Sequence, residues 1–229
     1  MMNTRGVLRW RRTSLVAVLL VLTAVAQAGP PLVCHTIEIG QAKSLPWISH
    51  SWNLDGNETY DIKNLTRDML ELLDAKTPVL ARMETLRRAT LYARKDPRVA
   101  KELLGKLHAR VAAGNGDALA FFDFGYLAEA FKQWLGNDQP NPASGIDGYE
   151  WVKKAMGLRD QDPEMEFAAA LITLKGPESK HRQHVQKAIA GAKTDPLLAQ
   201  NLAARFMGHQ DETVSQMLAR STSPGGQWK

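Results

Sequence analysis

The 229-residue chain has a single cysteine, Cys34, so no disulfide can form within it and the fold must hold by packing alone. It also lacks every common catalytic signature. There is no glycine-rich phosphate loop, His-Glu-x-x-His helix, Cys-x-x-Cys pair, haem attachment sequence or nucleophile-elbow serine. No cofactor and no resident metal is expected. Beyond the N-terminus, no stretch reaches the roughly 20 apolar residues that span a bilayer. Aromatics make up only 7% of the chain, and most of those in its middle third fall on one short segment.

The N-terminus has the three parts of a secretory leader: Arg5, Arg9, Arg11 and Arg12 without an acid, an apolar run from Leu15 to Val25, then Ala26-Gln27-Ala28. The small residues at Ala26 and Ala28 suit signal peptidase, and Gly29-Pro30-Pro31 stops any helix extending the run. Residues 1–28 are therefore expected to be removed, leaving an exported chain that is periplasmic or extracellular. Thr13-Ser14-Leu15 after the arginine pair does not suit twin-arginine export. Pro31 and Val33 stand where a lipobox before Cys34 wants an apolar and a small residue.

Cleavage removes four of the 29 basic residues and none of the 24 acidic ones, so the exported chain is nearly neutral. With no dense basic stripe interleaved with aromatics, nucleic acid is not an expected partner.

Residues 29–58 are irregular or weakly extended, with Pro30, Pro31 and Pro46 and the tryptophans Trp47 and Trp52. Burying an aromatic is worth roughly 1.5 to 3 kcal/mol, so this arm is expected to lie against the rest of the chain.

From Thr59 onward the pattern is helical. Thr77-Pro78, Asp96-Pro97, Asp162-Pro163, Gly176-Pro177 and Asp195-Pro196 each suggest an N-cap followed by proline at the first helical position. Helices are predicted near 59–75, 78–94, 97–113, 116–135, 147–158, 163–175, 177–191, 196–208 and 210–220, with a loop at 136–148. Short connections make neighbours antiparallel. The expected fold is all-α, a helical domain over 59–221 with a disordered tail at 222–229.

Lys154-Ala155-Met156 before Asp162-Pro163 recurs 33 residues later as Lys187-Ala188-Ile189 before Asp195-Pro196. Arg88-Ala89-Thr90 before Asp96-Pro97 is a weaker copy. Phe121, Phe124, Gly125 and Ala128 have the spacing of the first-helix motif of tetratricopeptide repeats, with Phe for Trp and for Leu, and Ala for Tyr. Over residues 78–220 the chain resembles that class. The resemblance implies stacked antiparallel helix pairs forming an α-α superhelix, commonly a protein-binding scaffold, and brings no catalytic residues.

Glu178, His181 and His184 lie three apart and could converge on a metal, but Lys180, Arg182 and Lys187 point instead to a solvated face. His35 and His50 flank the aromatic arm and could join Cys34 in a metal or nucleophile site, and with Asp123 they are the candidates for a small-ligand or enzyme site between the arm and the central helix. Phe121, Phe122, Phe124, Tyr126, Phe131 and Trp134 share one helix whose apolar arc is wider than a surface helix needs, so that helix should be central. Asp123 falls inside that arc and requires a cation or donors, for which Arg82, itself within an apolar stripe, is the candidate.

The expected function is an exported scaffold binding a partner protein or peptide. An enzyme or small-ligand binder using Asp123, Tyr126, Arg82, Cys34, His35 or His50 is the second expectation, and an envelope-assembly protein the third.

Overall fold

The computed structural model describes residues 29–48, 54, 56–114, 116–135, 140–160 and 162–207. The leader, His50, Trp52, the helix expected at 210–220 and the tail lie outside the described residues. Among the described residues eight α-helices follow one another: α1 (Leu65–Leu72), α2 (Val79–Ala93), α3 (Pro97–Ala113), α4 (Ala118–Trp134), α5 (Gly148–Leu158), α6 (Pro163–Thr173), α7 (Glu178–Gly191) and α8 (Pro196–Leu202). A π turn, Ala203–Met207, continues α8. Among the described residues there is no strand, and no helix is long and apolar enough to cross a membrane.

Aspartates start most of these helices. Asp96, Asp162 and Asp195 accept hydrogen bonds from the first free N–H groups of α3, α6 and α8, each with proline at the start. Asp162 takes the amides of Glu164 and Met165, and Asp195 takes those of Leu197 and Leu198, so the caps repeat at the sequence period. Asp117 and Asp147 cap α4 and α5.

The other two proline starts differ from expectation. Pro78 and Pro177, not Thr77 and Gly176, occupy the N-cap positions, and neither helix has a side-chain cap. The Thr77 hydroxyl donates instead to the Leu72 carbonyl, and the free amide of Leu80 donates across the fold to Glu164 of α6. The first helix is also shorter than predicted. Asp61 caps a 3-10 turn at Ile62–Asn64, and Asp74 ends the helix by accepting from the Lys76 and Thr77 amides.

Helix α4 sits at the centre, packed against α2, α3 and α5, with Phe122, Tyr126, Leu127 and Phe131 wholly buried. It lies closest to α5 where Gly125 faces Gly148. A methyl group at Gly125 would stand 2.5 Å from the Gly148 carbonyl oxygen, so only glycine allows this approach. Helices α6 and α7 form a second tight pair, and Ala168, Ala169 and Ala170 of α6 are all fully buried. Ala155 of α5 and Ala188 of α7 are both fully buried.

Candidate functional site

The arm crosses α2, α4 and the end of α8, and side chains hold it by its backbone. Leu32, Val33, Ile37 and Leu45 are buried under it. The Leu32 amide donates to Gln133, the Ile37 amide to Glu84 and the Glu38 amide to Asn201, whose own amide group returns a bond to the Glu38 carbonyl. Arg87 donates to the Val33 carbonyl, Arg88 to that of Leu45, and Arg205 to those of Pro31 and His35. Tyr92 donates to the Pro46 carbonyl, and Trp47 lies against the Tyr92 ring and the Arg87 guanidinium. Glu84 is the common acid, taking Arg87 at 2.7 Å and Arg88 at 2.7 Å. The expected docking of the arm is therefore observed, at α2 and α4.

Among the described residues, which do not include His50, the cradle does not bring Cys34 and His35 together with Asp123. Cys34 is half-buried, and burial pushes its thiol up against the opposing charges of Arg205, Arg87 and Lys175, which keeps it protonated and weakly nucleophilic. His35 is exposed and contributes its carbonyl rather than its imidazole. Tyr126 is buried, its phenol held above the usual range by that burial. Arg205 is held down at about 10 by burial.

Asp123 does not join the arm. It meets Arg82 at 2.6 Å with both side chains fully buried, and Arg110 stands 3.7 Å away. Arg82 also donates to the carbonyls of Thr77 and Asp74, so the pair fastens the α1–α2 connection to α4. Burial pushes the Asp123 carboxyl up to about 6, with Arg82 opposing.

The α7 histidines correct an expectation. His181 and His184 are buried, not on a solvated face, while Glu178 is exposed and paired with Arg182. Lys180 and Arg182 are exposed, Lys187 reaches across to Glu166 of α6, and the two rings turn onto α6 and α5. His181 bonds the Ala170 carbonyl, and His184 bridges Glu166 at 2.5 Å and the Tyr149 hydroxyl at 2.7 Å. Burial would raise Glu166, but hydrogen bonds from His184 and Lys187 outweigh it and hold the acid low. Among the described residues no group of three or more His, Cys, Asp or Glu is placed to hold a metal.

An open concavity lies elsewhere, a groove of about 1020 Å³ between α3 and α5. Phe124 of α4 is its floor, Leu104 and His108 of α3 form one wall, and Trp151 of α5 and Ile146 of the preceding loop form the other. Trp151 meets the Phe124 ring edge-on at 5.3 Å, and His108 lies 5.1 Å from the same ring. Gly105 leaves open space in the α3 wall. Among the charged groups, Arg98 is paired with Asp96 at 2.8 Å, Glu150 with Lys153 at 2.6 Å, and Asp147 caps α5. Lys101 and Lys154 are left, and neither has an ion-pair partner among the described residues. Lys154 stacks over Trp151 at 4.1 Å.

Of these residues the sequence pattern marked Phe124, as one aromatic of a central helix, Lys154, as part of the repeat, and Asp96, as a helix cap. The others are scattered over α3, a loop and α5, and only the fold brings them together. Compared with protein-family models, with curated proteins and with solved structures, the chain matches none.

Proposed function

We propose that this chain is an exported scaffold of tetratricopeptide type that binds a partner protein or peptide, and that the partner docks in the groove between α3 and α5. The observation that carries this is the groove itself: an open, aromatic-floored surface of about 1020 Å³ on a fold whose α2 and α4 face is already covered by the chain's own arm. Exposed apolar concavities of this size mark interaction sites more often than they mark solvent. The repeated aspartate caps and the paired buried alanines, Ala155 and Ala188, support the repeat class.

Gly105 provides the test, since a side chain there meets open space and replacing a mid-helix glycine does not threaten α3. Chemical crosslinking and pulldown from the native envelope, done with the parent and with Gly105→Trp, should show partners lost in the variant at unchanged melting temperature. Partners retained in full by Gly105→Trp would remove the groove from the proposal.

A further inference from the structure

We infer that the groove between α3 and α5 takes an acidic peptide segment that seats a bulky apolar side chain on Phe124 and Trp151. This rests on the reading of the groove as the docking site and adds the chemistry of the partner. The first argument is charge. Each acid on the lining is already engaged, Glu150 by Lys153 and Asp147 by the amide of Glu150 at the start of α5. The basic side has a surplus in Lys101 and Lys154, and the amino-terminal ends of α3 and α5, marked by Arg98 and Glu150, both open onto the same space. An incoming carboxylate finds two ammonium groups without an ion-pair partner among the described residues, whereas an incoming cation finds one carboxylate besides Glu150, that of Asp147, which is already capping α5.

The second argument is shape. The α3 wall runs from Pro97 to His108, a rise of about 16 Å, which matches about five residues of extended chain. That length suits a peptide segment, and the aromatic floor lies beneath its middle. Trp151, half-buried and carrying Lys154 on its face, offers an apolar edge beside a charge, the arrangement that distinguishes an acidic apolar sequence from a merely apolar one.

Phage display of a random peptide library on the full exported chain tests this directly, with selection against Gly105→Trp to discard sequences that bind elsewhere. The expected winners combine Asp or Glu with Leu, Ile, Phe or Trp. They should lose at least tenfold in affinity for Lys101→Glu/Lys154→Glu at low salt, and that difference should shrink at high salt. Selection on that double variant should instead return basic apolar sequences. Winners that are neutral or basic on the parent chain, or a library that yields no groove-dependent sequence, overturn the inference. If envelope partners remain sensitive to Gly105→Trp while the selected peptides carry no acid, the docking site stands and only its proposed chemistry falls.

Discussion

Arg82 and Asp123, on α2 and α4, meet at 2.6 Å with neither side chain exposed. Such a pair gains little over well-packed apolar residues, but breaking it leaves an uncompensated buried charge. Asp123→Asn should therefore cost about 3 to 5 kcal/mol in urea denaturation. Replacing both partners, Arg82→Met with Asp123→Leu, should recover most of that loss. About 1 kcal/mol remains, because the Thr77 and Asp74 carbonyls lose their donor. If Asp123→Asn keeps full stability but loses envelope partners, the acid serves a binding site instead.

The same carboxyl makes stability depend on pH in an unusual direction. Because burial raises Asp123 to about 6, the folded chain binds its proton more tightly than the unfolded chain does. Its contribution therefore falls as pH rises from the ordinary carboxylate range to about 6, and is flat above that, a change of about 2 to 3 kcal/mol. Glu166, held low, acts with the opposite sign, its contribution being lost as pH falls through its depressed value. Subtracting the stability curve of Arg82→Met/Asp123→Leu from that of the parent isolates Asp123. A flat difference between pH 4 and 6 would falsify the assignment.

Gly125 and Gly148 set the distance between α4 and α5. Gly125→Ala places a methyl group 2.5 Å from a backbone oxygen that cannot swing away, and should cost at least about 2 kcal/mol. Gly157→Ala, also on α5 but with nothing within 4 Å, should instead stabilise by up to about 1 kcal/mol. Equal melting temperatures for the two variants would show that α4 and α5 do not approach as closely as described.

Much of this framework was legible because it is local. An aspartate before a proline defines a helix start through bonds to residues two and three ahead, and the apolar arc around Asp123 exposed a buried acid in need of a cation. Pro78 takes the cap position of α2 because the partner that satisfies its first turn is Glu164, distant in sequence, and α7 starts at Pro177 with no side-chain cap. The burial of His184 was hidden for the same reason: its partners, Glu166 and Tyr149, stand on two other helices, and Lys187, which suggested a solvated face, reaches the same Glu166. The groove was the least legible feature, since Leu104, Ile146 and Trp151 share no periodicity.

Ala155 and Ala188 test the repeat through packing. Both are fully buried and each precedes an aspartate-capped helix at the same offset. Leucine at either position should cost about 1 to 3 kcal/mol by overpacking, with similar losses at the two sites. Thermal melts in which one variant matches the parent would break the equivalence.

Glu84 should control whether the arm stays docked. Its carboxylate faces Arg87 and Arg88 and accepts the Ile37 amide, while Arg205 adds a further cation to the same cradle. Glu84→Gln removes the negative charge among these guanidiniums, and its new N–H₂ group turns a donor toward donors. Hydrogen exchange should then speed at Ile37 and Glu38 while α6 and α7 keep their protection. Asn201→Ala deletes two bonds to Glu38 without changing charge, so its effect on the arm should be smaller, about 1 to 2 kcal/mol. If Glu84→Gln leaves exchange in the arm unchanged, apolar burial of Leu32, Val33, Ile37 and Leu45 holds the segment without help from the ion pairs.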